Sequence, residues 1–126
     1  MSNIKRIHSN LYFVKDIKQT AEFYKKLGFD IDKSDDTVRV KLGDFTLAFM
    51  NESKVTIDKE IGVQPKGVGV FTYVEVDDID AHYQLVVSNG ISPSSEPKDW
   101  PWGKREFAVK DHDGYKIVFY SQIFKL

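Results

Sequence analysis

Leu11-Tyr12-Phe13-Val14-Lys15-Asp16-Ile17 and Tyr73-Val74-Glu75-Val76-Asp77-Asp78-Ile79 are two versions of one pattern. Each is an apolar run of strand character that stops at an aspartate and then changes to helical spacing. After the first run, apolar side chains fall at Ile17, Ala21, Tyr24 and Leu27; after the second, at Ile79, Tyr83, Val86 and Val87. Both sets fit a helix with one buried face. Asp16 and Asp78 stand where an N-cap carboxylate accepts free backbone N–H groups, and Gln19 completes a capping box in the first copy. Gly28 and Gly90 occupy the left-handed position that closes a helix. The two aspartates are 62 residues apart and so are the two glycines, so each half carries a capped helix of equal length.

Strands close each half. Val38, Val40 and Leu42 alternate, Gly43-Asp44 makes a tight turn, and Phe45, Leu47 and Phe49 alternate again. In the second half Phe107 and Val109 lead into Asp111-His112-Asp113-Gly114, and Ile117 to Tyr120 form the return strand. Helix-ending and hairpin glycines lie 15 residues apart in the first half and 24 in the second. The second unit therefore carries about nine extra residues, in the region of Ser94 to Trp102. A linker is expected near Val55 to Lys66. The chain reads as one domain of two repeats, the first module spanning about 1–58 and the second about 66–126.

At 126 residues the chain is long enough for one sizeable core and too short for two independent domains. With 41% apolar and 29% charged residues, it has the profile of a soluble globular protein. A net charge of −1, with basic and acidic residues interspersed, offers no surface for nucleic acid. No apolar run approaches a membrane span and no signal pattern opens the chain, so the cytoplasm is the expected location and no membrane is a partner. Cysteine is absent, which removes disulfides, thiolate nucleophiles and thiolate metal sites.

Three runs resemble a known family: Tyr12 to Ile17, Ala21 to Phe29, and Trp102-Gly103-Lys104-Arg105-Glu106-Phe107 continuing to Gly114. They are similar to signatures of the vicinal-oxygen-chelate superfamily, which includes glyoxalases, dioxygenases and bleomycin-resistance proteins. The last run resembles the bleomycin-resistance branch, with His112 where a proline is usual. The resemblance covers essentially the whole chain. It implies an α+β fold of two βαβββ modules whose mixed sheets curve into a cup with the site inside, commonly in a homodimer. In metal-using relatives one ligand stands on the first strand of each unit and another on the last. Carried over by position these become Ser9, Phe71, Leu47 and Val118, a set with no competent metal ligand beyond a serine hydroxyl. The resemblance therefore implies neither a metal nor another cofactor here, and no catalytic residue is assigned.

Alternation from those positions places Leu11 and Phe13 beside Ser9, Tyr73 and Glu75 beside Phe71, Phe49 beside Leu47, and Tyr120 beside Val118. Such a lining suits a planar ligand held by stacking. Trp100-Pro101-Trp102 puts two indoles on a proline-stiffened loop, suited to recognition or to a cup rim or dimer contact. Arg105 and Glu106 alternate, so only one faces the site. The expected ligand-binding set is Ser9, Phe13, Phe49, Phe71, Tyr73, Trp100, Trp102, Arg105, Glu106 and Tyr120. The leading expectation is a metal-free binding protein that sequesters an aromatic or cationic small molecule, most simply an antibiotic of the bleomycin type. The alternatives are a lyase, isomerase or dioxygenase of the same superfamily, and a structural dimer without a small-molecule role.

Overall fold

A computed structural model describes residues 3–54 and 60–123. The expected linker at Val55 to Lys66 lies partly outside these residues. The chain divides into two compact units, Met1–Lys25 with Phe29–Val63, and Lys26–Gly28 with Gln64–Leu126.

The first unit runs β1 (Ser9–Val14), α1 (Ile17–Lys26), β2 (Ile31–Lys33), β3 (Thr37–Leu42) and β4 (Phe45–Asn51). Its sheet has the order β1-β4-β3-β2, with β1 parallel to β4 and the other pairs antiparallel. The second unit repeats this with β5 (Phe71–Glu75), α2 (Ile79–Ser88), β6 (Lys98–Asp99), β7 (Lys104–Lys110) and β8 (Lys116–Gln122). Its order is β5-β8-β7-β6, again with one parallel pair, β5 with β8. Two βαβββ modules are thus present.

The helix ends follow the sequence chemistry. Asp16 Oδ1 accepts from the Lys18 and Gln19 amides, and Asp78 Oδ1 accepts from the Ala81 amide at 3.1 Å. Gly28 and Gly90 both have positive φ. Asp78→Ala is expected to cost about 1 kcal/mol of stability, measurable in urea, with Asp78→Asn retaining most of it. An alanine variant of unchanged stability would show that the cap contributes nothing.

Each sheet has a helix face and an open face. In the first unit Val38, Val40, Leu47 and Phe49 face α1 and are buried; the Tyr24 ring lies 4.7 Å from that of Phe49. In the second, Phe107, Val109, Ile117 and Phe119 face α2, where Ile79 and Val86 are buried. Val87, expected on the buried face of α2, is 42% exposed instead. A second buried layer lies at the β7–β8 loop. Lys66 and Asp113 are both buried and their side chains approach to 4.0 Å, while Asp111 Oδ1 accepts from the Asp113 and Tyr115 amides. No helix among the described residues is long and apolar enough to cross a membrane.

Candidate functional site

The open face of the second sheet carries the aromatic side chains. Register places Phe71 beside Lys116, Tyr73 beside Val118, and Tyr120 between Glu75 and Glu106, with Ala108 beside Val118. Paired residues share a face, so Phe71, Tyr73, Glu106, Val118 and Tyr120 all lie on the side away from α2. A cavity of about 480 Å³ opens here, lined by Phe71, Tyr73, Trp100, Trp102, Glu106 and Ala108 among others. Phe71 and Tyr73 are 60% and 45% exposed, a large apolar area for strand residues.

The Trp loop is a turn held from within. The Trp100 amide donates to the Lys104 carbonyl at 2.9 Å, and the Gly103 amide returns to the Trp100 carbonyl at 3.1 Å. Gly103 takes φ +86°, which lets the chain reverse between β6 and β7. The two indoles then stack, with centroids 4.8 Å apart and planes 11° apart. Lys98 Nζ lies 4.2 Å from the Trp100 centroid, and Trp102 is 55% exposed. Trp102 Nε1 donates to Glu106 Oε2 at 2.9 Å, and the Tyr73 hydroxyl lies 3.5 Å from Glu106 Oε1. Glu106 is buried and ties the loop to the strand below it. Burial first, then the charge and hydrogen bonding of Glu106, raise the Tyr73 phenol above its ordinary value.

The structure gathers part of the expected set. Phe71, Tyr73, Trp100, Trp102 and Glu106 line the cavity, and Tyr120 shares its face, its ring centroid 5.9 Å from that of Tyr73. Ser9 and Phe13 lie on the open face of the first sheet, Ser9 exposed and Phe13 half-buried. Two expectations are corrected. Phe49 pairs with Tyr12 and Val38 on the helix face and is 1% exposed, so it belongs to the core under α1. Counting from the hairpin glycine fails because Gly43 begins a two-residue turn, whereas Gly114 is the fourth residue of a five-residue loop. The same count lands on opposite faces, since one residue of slip inverts a strand. Arg105 is the second correction. It lies across the sheet from the cavity, where Asp80 of α2 and Asp99 hold its guanidinium at 3.1 and 2.9 Å. Lys110, Lys116, Ser94 and Ser95 line the cavity and were not anticipated. Extending the alternation from Glu106 to Ala108 and Lys110, and from Val118 back to Lys116, would have found the lysines.

A metal of the family type does not fit these residues. With Leu47 turned into the core, the open-face neighbour on β4 is Ala48, so the four chelating positions become Ser9, Phe71, Ala48 and Val118. Three are hydrocarbon, and divalent ions need converging N and O donors. Among the described residues no group of three or more His, Asp or Glu side chains is placed to hold an ion.

His82 is structural. Its ring lies 4.6 Å from that of Phe119, and Nε2 is buried without a hydrogen-bond partner among the described residues. Burial holds the imidazole below its ordinary value, with the Leu27 backbone acting in the opposite sense. The folded state then binds fewer protons than the unfolded chain. Stability from this group is full above about pH 6.5 and is lost as pH falls through the lower folded value. Urea midpoints are expected to fall between about pH 7.5 and 5.5, and to fall less in His82→Leu. Identical slopes would show that the ring titrates freely.

A family model described as the Glyoxalase/Bleomycin resistance protein/Dioxygenase superfamily matches residues 6–119. The chain belongs to this superfamily. Curated proteins named bleomycin resistance protein, from Geobacillus stearothermophilus and Staphylococcus aureus, are 31% identical to it, over 87% of this chain and 92% of theirs. A solved superfamily member from Nocardioides superposes with TM-score 0.80 at 21% identity, covering 98% of this chain and 87% of that one. A bleomycin resistance determinant encoded on transposon Tn5 gives 0.69 at 23%, covering 95% and 100%. A bleomycin-binding protein solved with bleomycin gives 0.65 at 22%, covering 94% and 99%. These superpositions establish the superfamily fold. A wider groove of about 640 Å³ runs beside α1 and β2 of the first unit, but Lys18, Glu22, Lys25, Asp30 and Lys33 dominate its rim. The aromatic cavity of the second unit is the better candidate, because pockets for organic ligands are mainly apolar with a few convergent polar groups.

Proposed function

We propose that this superfamily member binds and sequesters an aromatic small molecule in the cavity of its second unit, without altering it chemically. The observation that carries the reading is the pre-stacked Trp100–Trp102 pair beside the exposed rings of Phe71 and Tyr73. A planar ring entering there covers apolar surface on several sides, and each aromatic contact adds about 0.5–1.5 kcal/mol beyond area burial. The bleomycin resistance relatives make an antibiotic the natural candidate, bleomycin itself being one member of the class to test. Of the aromatic and cationic ligands that the sequence allows, the geometry favours the aromatic, because Glu106 is already engaged by Trp102 and Tyr73. The reading includes a homodimer in the cytoplasm. A sequence without cysteine is in keeping with that compartment, and sedimentation tests the dimer.

Titration with a panel of planar aromatic drugs, bleomycin included, tests the reading. Micromolar or tighter binding is expected, with a change in tryptophan emission and a rise in unfolding temperature. A panel that moves neither signal would overturn it.

A further inference from the structure

The cavity's charge has a sign. Lys110 and Lys116 are direct cross-strand partners at the β7–β8 hairpin, and both line the cavity. Like charges placed opposite each other on one sheet face destabilise it. Among the described residues no carboxylate forms an ion pair with either lysine. Lys116 Nζ lies 5.4 Å from the Phe71 centroid, and one further lysine, Lys104, lies over the same face with its Nζ 4.6 Å from the Tyr120 centroid. Among the described residues the opposing charge in the lining is Glu106 alone, buried and bonded to Trp102. Ser95 Oγ accepts from the Ala108 amide at 3.1 Å, and a hydroxyl that accepts in this way still has its proton to donate.

We propose that the cavity selects an aromatic anion: a flat ring against Phe71, Tyr73 and Trp102, with its carboxylate between Lys110 and Lys116. The inference rests on the binding reading above and adds the ligand's charge to it. An anion there turns the Lys110–Lys116 repulsion into two attractions. A cationic ligand would meet the same repulsion twice over, with its one counter-charge already engaged. The contribution is electrostatic and partly solvent-exposed, so it weakens with salt.

Calorimetric titration with 2-naphthoate, 2-naphthylmethanol and 2-naphthylmethylammonium separates charge from shape. The carboxylate is expected to bind about tenfold or more tightly than the alcohol, equivalent to about 1.4 kcal/mol, and the ammonium more weakly than either. Raising salt should erode the carboxylate's advantage. The Lys110→Gln/Lys116→Gln double variant should reduce the ratio of carboxylate to alcohol affinity to about one. If the three probes bind equally, or the ammonium binds best, or the preference survives in the double variant, the charge assignment is wrong while the aromatic site stands. If none of the three binds, the site reading falls and this proposal with it. The salt dependence is read on the unmodified protein, so the test does not hang on the variant's folding.

Discussion

Gly67→Ala is expected to destabilise the protein by about 2–5 kcal/mol. Gly67 sits at φ +74°, and a Cβ built there would lie 2.3 Å from the Gly114 carbonyl oxygen and 2.8 Å from Tyr115 Cα. Both obstacles are backbone, so neither can rotate aside. The left-handed conformation alone costs a non-glycine residue about 1–2 kcal/mol, and forcing atoms into a packed space adds about 1–3 kcal/mol. Gly69 is the internal control: its φ is +87°, but none of the described residues comes within 4 Å of a Cβ there. Gly69→Ala should therefore show the conformational cost by itself. The difference between the two measures how tightly the segment before β5 is pressed against the β7–β8 loop, where Lys66 and Asp113 are buried together. Equal losses in the two variants, in urea or heat, would mean that the contact at Gly114 relaxes freely.

Trp102→Ala is expected to lower affinity for a planar aromatic ligand by about thirtyfold or more, since a central indole at a binding site commonly contributes about 2 kcal/mol or more. Trp102 presents one face to Trp100 and is 55% exposed, so more than half of its surface stays outside the packing of the fold. Its N–H is a separate matter. Trp102→Phe keeps an aromatic surface but leaves the buried Glu106 carboxylate without the donor now at 2.9 Å. That variant should lose about 1–3 kcal/mol of stability and retain most of the binding. The pair of variants separates stacking from anchoring. A Trp102→Ala protein that binds normally but no longer dimerises would assign the loop to an interface instead.

Much of the fold was legible because its signals are local. An aspartate that caps, an apolar stripe of helical period and a glycine that reverses the backbone are each decided within about four residues, and both halves carry them. The candidate site was legible only in the second unit. There alternation counted from the positions that the resemblance supplies put Phe71, Tyr73 and Tyr120 on one face, and the register adds Glu106, which alternation left open against Arg105. The first unit misled because the parity of β4 depends on how many residues its turn contains, and Phe49 consequently went to the wrong face. Arg105 could be recognised as alternating with Glu106, but its partner Asp80 lies 25 residues away on α2, and only packing brings them together. The same holds for Lys66 with Asp113. Motif spacing carries no information about pairs that the tertiary fold assembles.

The most direct test of the account is a crystal structure of the protein bound to an aromatic compound selected by titration. The ring should lie in the second unit's cavity, against Trp102 and between Phe71 and Tyr73, with Glu106 still bonded to the indole. A ligand found instead along α1 of the first unit, beside Lys18 and Phe29, with the Trp102 cavity empty, would contradict it.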